Sequence, residues 1–349
     1  MRSDFINLEQ FTGNADVVNV LRRGRFPTSS IFEGPEGVGK KTLAISLASV
    51  HSCDNPNDDI CGQCSSCTKI SSNNHPDVQI IDLEWLKRYL KSKGKRVNPQ
   101  VIPIDAMREL IREVQFRPHQ AEKRFFIIDN AHKLNEAASN SILKTLEEPP
   151  ADVYIVLVTS FPNMLLPTIR SRCSHYRFGP LSREDVVHHL RLGNCEGKEA
   201  ELRAAFSGGS IGKASDLNLE ETLKRRDMAL EILQAWLQSR RFSSIFKHTE
   251  AASFRPILAK RDLTLGLLDA LQGVVEDAYY LLIENPSRVV SIDKIDNIRT
   301  LTSRLELAQT QSLLQHIQLS KTEIEAYVSP RMCFETLWLN SLEDQCWEN

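Results

Sequence analysis

A short glycine-rich segment holds the first residues whose spacing could do chemistry: Gly34-x4-Gly39-Lys40, with Gly37 between them. Glycines let the backbone approach a phosphate chain, the N–H groups of such a loop converge on phosphate oxygens, and the lysine supplies positive charge. Residues 30–33, Ser-Ile-Phe-Glu, run into the segment, and apolar residues at helical spacing follow it. The pattern predicts a nucleotide-phosphate loop between a strand and a helix, with a chance glycine-rich turn as the alternative.

Two positions around this loop bear on magnesium. Lys41 stands where such loops place the Ser or Thr hydroxyl that binds Mg²⁺, and the first hydroxyl, Thr42, comes one residue later. One residue along a helix is a rotation of about 100°, so Thr42 points in another direction. Asp129 follows an apolar run and is the predicted Mg²⁺ ligand, unless it only caps a strand. ATP and Mg²⁺ are therefore candidate cofactors.

The residue after Asp129 bears on hydrolysis. ATPases of this type place a Glu there to activate the attacking water, whereas this chain has Asn130. An amide takes no proton at neutral pH. We therefore expect hydrolysis at this chain's own site to be slow or absent.

Four of the eight cysteines fall close together, at Cys53, Cys61, Cys64 and Cys67. Two-residue spacers let neighbouring thiolates converge on one tetrahedral ion, and four ligands make a closed, structural zinc site. The polar residues around them leave no core to bury, so a Zn²⁺ ion would stand in for one. A redox pair and a zinc ribbon that contacts DNA are the alternatives.

Two groups of positively charged residues could bind phosphate, but each could also be an ordinary solvent-exposed feature. Arg172 follows the last predicted strand and could stabilise charge on the γ-phosphate of a nucleotide held by a neighbouring subunit, although the residues alone favour a solvated surface arginine. The run 87–96 carries six cations and no acid. It could meet nucleic-acid phosphates, but such runs are more often solvated loops.

Composition sets the class of protein. The chain has 349 residues, 41% of them hydrophobic, and a net charge of −2. These values exclude a collagen-like or wholly disordered chain and give no overall basic field for nucleic acid. No apolar run is long enough to cross a bilayer, and the first residues lack a signal core, so we expect a cytoplasmic protein without membrane contact.

Hydrophobic periodicity then places the candidate residues on elements. Short apolar runs alternate with helical patterns up to about residue 178, which predicts an α/β domain whose parallel sheet is covered on both faces. Beyond Gly179-Pro180 only helical patterns follow, beginning with a capping pattern at Ser182. We predict three domains: a nucleotide-binding sheet domain over 1–179 with a zinc-binding insertion at 53–67, a small helical lid over 180–220, and an all-helical domain over 221–349.

Taken together, the motifs resemble the bacterial DNA polymerase III clamp-loader family of AAA+ proteins, most closely its delta prime type. The resemblance covers about residues 7–220. It rests on the following segments: Gly34–Lys40, the four-cysteine insertion, His75-Pro76-Asp77, Ile127–Ala131, Asn140–Pro150 and Ser171-Arg172-Cys173. It implies a RecA-like AAA+ sheet domain, a helical lid and an all-α C-terminal collar for oligomerisation, where the likeness is limited to the segment near Val328–Leu339.

The resemblance also assigns roles to single residues. It implies that Arg172 is an arginine finger that acts in trans, in place of the surface-arginine interpretation. Thr159 resembles the sensor at the end of the fourth strand, and Lys213 lies in the region where the motor subunits carry a sensor arginine. Asn130 and Lys213 depart from the motor pattern and favour the delta prime type over gamma/tau.

The function implied is that of a nonhydrolytic subunit that supports ATP-dependent loading of the sliding clamp onto primed DNA. Its partners would be gamma/tau and delta in a hetero-pentamer, with the clamp and primer-template DNA reached through the complex. The complex belongs to a nucleotidyltransferase holoenzyme, but no polymerase activity is expected of this chain. The alternative is an ATP-hydrolysing gamma/tau-type motor, in which Thr42 restores Mg²⁺ binding and Glu136 replaces the missing base.

Overall fold

A computed structural model describes residues 8, 11–23, 26–55, 60–94, 100–239, 241, 243, 250–251 and 254–346, with side chains up to residue 342. The chain divides into two compact units, Met1–Gly193 with Gly208–Lys213, and Asn194–Ser207 with Ala214–Asn349. The predicted lid, 180–220, is thus shared between the units, and the three-domain division stays a prediction.

The first unit contains a five-stranded sheet and eight helices among its described residues. In chain order these elements are α1 (Ala15–Arg23), β1 (Ser29–Glu33), α2 (Lys40–Ser52), α3 (Ser65–Ser71), β2 (Val78–Ile81), α4 (Leu83–Ser92), α5 (Ile104–Val114), β3 (Arg124–Ile128), α6 (Glu136–Glu147), β4 (Val153–Thr159), α7 (Pro167–Arg170), β5 (Ser174–Arg177) and α8 (Arg183–Leu192). The short helix α10 (Ile211–Asp216) crosses the division between the units.

All five strands are parallel, in the order β2-β3-β4-β1-β5. The register pairs Glu33 at the end of β1 with Thr159 at the end of β4. It also pairs Ile128 of β3 with Leu157 of β4. The carboxyl ends of β1, β3 and β4 therefore lie at one edge of the sheet.

Apolar side chains cover both faces of the sheet. In β3, Phe125 and Ile127 belong to the core with α2 and α3, whereas Phe126 and Ile128 belong to the core with α4, α5 and α6. Alternate residues of a strand point to opposite faces, so a strand buried on both sides is a continuous apolar run. The predicted α/β class, with its covered parallel sheet, is confirmed.

Helix starts follow from local capping. Asp82 accepts hydrogen bonds from the N–H groups of Glu84 and Trp85 at the start of α4. Ser182 accepts one from Asp185 at the start of α8, which confirms the capping pattern predicted there. Each side-chain oxygen satisfies N–H groups that have no partner within the first turn of a helix.

The described residues of the second unit form helices joined by turns, and they contain no strand. Its helices are α9 (Gly197–Phe206), α11 (Leu219–Ser239), α12 (Arg255–Leu258), α13 (Arg261–Leu282), α14 (Ile295–Thr302), α15 (Leu307–Glu325) and α16 (Pro330–Cys346). Helix α13 packs against α11, α14 and α15 around a core that includes the indoles of Trp236 and Trp338, whose planes are tilted by 47°. The predicted long amphipathic helices beyond residue 220 are confirmed.

One buried carboxylate fixes the chain where it leaves α13. Asp277 is 1% exposed and accepts hydrogen bonds from the N–H groups of Val290 and Ser291.

Within the described ranges, no helix is long and apolar enough to span a bilayer.

Candidate functional site

Four residues that follow or end strands meet at one edge of the sheet. Gly34 follows β1, Asp82 follows β2, Asp129 follows β3, and Thr159 ends β4. Open parallel sheets bind ligands at this carboxyl edge, because loops and helix N-termini converge there. The fold thus places the predicted phosphate loop and the predicted magnesium ligand side by side.

The phosphate loop needs glycine at two positions. Gly37 and Gly39 have φ of 74° and 92°, values that favour glycine. A Cβ on Gly37 would lie 2.2 Å from Ser210 Oγ, and Gly212 N donates to Gly37 O over 3.1 Å. The segment that carries Lys213 therefore packs against the loop, with the Lys213 side chain exposed and its N–H donated to Ser210 Oγ.

Lys40 is held inside the loop. Its Nζ donates to the carbonyl oxygens of Gly34, over 2.7 Å, and Pro35, and to Ser160 Oγ over 3.2 Å. Burial lowers the Lys40 pKa to about 8, against the opposing attraction of Asp129. The residue is 5% exposed, so a phosphate that approached this ammonium would offset part of the cost of burying it.

Lys41 pairs with both carboxylates at the strand ends. Its Nζ lies 2.9 Å from Asp82 Oδ2 and 3.6 Å from Asp129 Oδ2. Burial alone would raise the pKa of Asp82, but the N–H of Trp85 and the Lys41 ammonium together hold it below its ordinary value. An ammonium thus neutralises the carboxylate that was the predicted Mg²⁺ ligand. These residues do not fit the usual Mg²⁺ site, because a cation replaces the hydroxyl ligand.

The remaining predicted residues of the edge have ordinary partners. Thr159 is 1% exposed, accepts from Phe161 N over 3.0 Å and lies 3.2 Å from His132 Nδ1. Asn130 adopts φ of 52° and donates its N–H to Asp129 Oδ1. Thr42 lies half-buried on α2.

Arg172 lies between α7 and β5, and its hydrogen-bond partners are not residues of the glycine-rich loop. Its Nε donates to Glu147 Oε2 over 2.9 Å, and its Nη1 donates to Thr168 O over 3.0 Å. The arginine side chain is 32% exposed and that of Glu147 is 58% exposed. A guanidinium in this position can exchange an exposed carboxylate for another anion at small cost.

The four predicted cysteines converge. Their Sγ atoms all lie within 4.8 Å of one another, with separations of 3.9 Å for Cys53–Cys64, 4.0 Å for Cys61–Cys67 and 3.8 Å for Cys53–Cys67. A tetrahedron with zinc–sulfur bonds of about 2.3 Å has edges of about 3.8 Å. The cluster therefore fits one tetrahedral ion, and these four thiols could hold it.

Backbone contacts already favour thiolates in part of this cluster. Hydrogen bonds from the N–H groups of Gln63 and Cys64 lower the pKa of Cys61 to about 6, whereas burial raises the pKa of Cys67. The N–H of Cys67 also donates to Cys64 Sγ. A divalent ion would favour deprotonation of the buried thiol as well.

Three residues of these sites escaped the sequence reasoning: Asp82, Ser160 and Glu147. Asp82 could have been predicted as a residue of this edge, because it follows the apolar strand β2 in the same way that Asp129 follows β3. Ser160 follows β4 directly, in the same way. Glu147 had no such signal, because only the fold brings the end of α6 to Arg172.

The chain resembles known proteins in sequence. The family model described as "DNA polymerase III, delta subunit" matches residues 13–182. The DNA polymerase III subunit delta' of Bacillus subtilis is 27% identical over 282 residues, which is 80% of each chain. The chain is thus similar to subunits of DNA polymerase III, within residues 13–182 by the family model and over most of its length by the delta' subunit.

Two further comparisons differ in how much of the chain they cover. The gamma/tau subunit of Mycobacterium bovis is 35% identical over 159 residues, which is 45% of this chain and 25% of that one. A gamma-subunit-related protein from Thermotoga maritima covers 93% of this chain and 98% of its own, with 17% identity and a TM-score of 0.38. The parallel sheet in the order β2-β3-β4-β1-β5 agrees with the predicted α/β fold class.

The basic run lies partly outside the described residues, since Lys95 and Arg96 are not among them. Its first part belongs to α4, where Trp85 stacks on Tyr89 and Lys93 Nζ lies 5.8 Å from the Tyr89 ring centroid. A contact between this run and DNA stays a prediction.

Proposed function

We propose that the chain is a delta prime-type subunit, which supports ATP-dependent loading of the sliding clamp onto primed DNA without hydrolysing ATP itself. The observation that carries this proposal is the pairing of Lys41 with Asp82 and Asp129. Hydrolysis in this class of site uses Mg²⁺ to bridge the β- and γ-phosphates and a carboxylate to orient water. Lys41 competes for the carboxylates that would hold the metal, and Asn130 replaces the carboxylate that would activate water.

The extent of the match to relatives supports the delta prime type. The B. subtilis delta' subunit is matched over 80% of its own length, whereas the M. bovis gamma/tau subunit is matched over 25%. The gamma/tau alternative rests on the higher identity, 35%, within the shared region. In that alternative Thr42 and Glu136 would supply the missing groups.

In the proposed function Arg172 acts on a neighbour. A guanidinium presents a planar fork of donors that suits phosphate oxygens, and it keeps its charge at any physiological pH. Arg172 is partly exposed and its main partner is an exposed carboxylate, so it is available to a nucleotide of an adjacent motor subunit. Thr159 and Lys213 would sense the nucleotide state of this chain's own loop.

The rest of the chain serves assembly in this proposal. The helices beyond residue 220 would form the collar of a hetero-pentamer with gamma/tau and delta. The cysteine cluster would hold one structural Zn²⁺, which fixes the segment between α2 and α3. Clamp and primer-template DNA would be reached through the complex.

The purified chain is expected to show no ATP turnover above the background of a Lys40→Ala variant. The physical reason is the absence of both a metal-binding hydroxyl and a general base. Steady-state phosphate release in Mg²⁺ buffer measures this directly. Turnover that disappears in the Lys40→Ala variant would favour the gamma/tau-type motor instead.

A second prediction concerns the ion pair between Arg172 and Glu147. In a reconstituted complex, Glu147→Gln is expected to raise ATP hydrolysis by up to about fivefold, because an exposed ion pair of about 1 kcal/mol or less no longer competes for Arg172. Glu148→Gln, at the next exposed position, is the matched control and should leave the rate unchanged. A lower rate in the Glu147→Gln variant would show that Glu147 positions the arginine for use.

A further inference from the structure

We propose that the Lys41 ammonium takes the place of Mg²⁺, so that this phosphate loop binds a nucleoside diphosphate or triphosphate without a divalent cation. The inference rests on the proposed function in one respect, the lack of hydrolysis at this loop. Beyond that function, Lys41 is the group that replaces the metal, and a nucleoside phosphate is the ligand that the loop still accepts.

The position of the Lys41 ammonium is the first argument. Its Nζ lies 2.9 Å from Asp82 and 3.6 Å from Asp129, so one cation contacts the carboxylates after two neighbouring strands. A magnesium ion in this class of site lies against the second of these carboxylates. The ammonium therefore occupies the place at the strand ends that a metal would need.

The balance of charge is the second argument. Lys40 and Lys41 carry two positive charges, and Asp82 and Asp129 carry two negative charges, so these four residues sum to zero without a metal. A Mg²⁺ ion brought to the same carboxylates would face a cation that is already paired with them. Like charges at close range in a partly buried site repel strongly. Divalent metal is thus disfavoured before any nucleotide arrives.

The loop itself still suits phosphate. Its glycines keep the backbone conformation that directs N–H groups at an anion, and α2 begins directly after it at Lys40. Lys40 is 5% exposed, with its Nζ on the loop's own carbonyl oxygens. A bound phosphate would accept from that ammonium. Because Lys41 supplies one charge where Mg²⁺ supplies two, a diphosphate should bind at least as well as a triphosphate.

The test is ADP binding to the purified full chain, measured by calorimetry with excess Mg²⁺ and again with excess EDTA. The expected dissociation constants agree within about threefold, since no metal takes part. A dissociation constant more than about tenfold weaker in EDTA would overturn the proposal. Absence of ADP binding under both conditions would overturn it too, because the loop would then hold no phosphate.

A substitution at Lys41 sharpens the test. Lys41→Thr restores a hydroxyl at the metal-binding position, so its ADP affinity should become at least about tenfold tighter in Mg²⁺ than in EDTA. Lys144→Thr, an exposed lysine on α6, is the matched control and should bind ADP as the wild-type chain does. Metal-independent binding in Lys41→Thr would contradict the role given to Lys41. These measurements use the isolated chain, so their failure would leave the role of Arg172 in a complex untouched.

Discussion

The Arg172→Ala substitution is expected to slow ATP hydrolysis by about a thousandfold at a neighbouring subunit's site, given the role in trans that we propose for this arginine. An arginine finger stabilises the charge that develops on the transferred phosphoryl group, and alanine provides no substitute. The measurement is single-turnover hydrolysis in a complex reconstituted with gamma/tau and delta. The steady-state rate of ATP hydrolysis by the whole complex should fall by at least the fraction that this one site contributes.

Two variants make this result specific. Arg172→Lys keeps the charge but loses the planar fork, so it should recover only part of the rate. Arg191→Ala removes an exposed arginine at the end of α8 and should behave as the wild-type chain does. A complex that carries Arg172→Ala and hydrolyses ATP at the wild-type rate would contradict the role in trans.

The Cys64→Ser substitution is expected to abolish zinc binding, with metal content falling from one equivalent per chain to near zero. Structural zinc sites bind with an apparent free energy of about 10–16 kcal/mol, and much of it is available to hold the surrounding chain. Loss of the ion should therefore speed amide hydrogen exchange in α3, which begins directly after Cys64. Elemental analysis and exchange mass spectrometry measure the two effects.

The matched control for the zinc prediction is Cys195→Ser, at a partly exposed free cysteine of the second unit. It should retain both zinc and slow exchange in α3. Full zinc content in the Cys64→Ser protein would contradict a four-cysteine site. The same protein also tests the zinc-ribbon alternative, because equal DNA affinity in a chain that remains folded would exclude a DNA contact through this cluster.

The strands of the sheet could be predicted from the sequence where a local run of apolar residues is enough to indicate a buried strand. Three strands, β2, β3 and β4, are mostly apolar runs that the sequence shows directly, and β1 could be placed because it leads into the glycine-rich loop. The fifth, β5, was missed because Ser174–Arg177 is polar and mostly exposed, as an edge strand can be. Its pairing with β1 depends on the rest of the sheet being present.

The candidate sites could likewise be predicted only where their residues lie close together in the sequence. The cysteine cluster could be predicted because short spacers alone bring its ligands together. The partners of Lys41 and Arg172 could not, because Asp82 and Glu147 reach them only through the folded sheet domain. From the sequence, Lys41 indicates only that the Mg²⁺-binding hydroxyl is absent. The structure shows in addition that its ammonium contacts two carboxylates.

The most direct test of the account compares two substitutions in one assay, DNA-dependent ATP hydrolysis by the reconstituted complex. Lys40→Ala removes the ammonium of this chain's own glycine-rich loop, and Arg172→Ala removes the guanidinium that we propose acts on a neighbouring subunit. We expect a near wild-type rate for Lys40→Ala and a large loss for Arg172→Ala. A large loss for Lys40→Ala together with a wild-type rate for Arg172→Ala would contradict it.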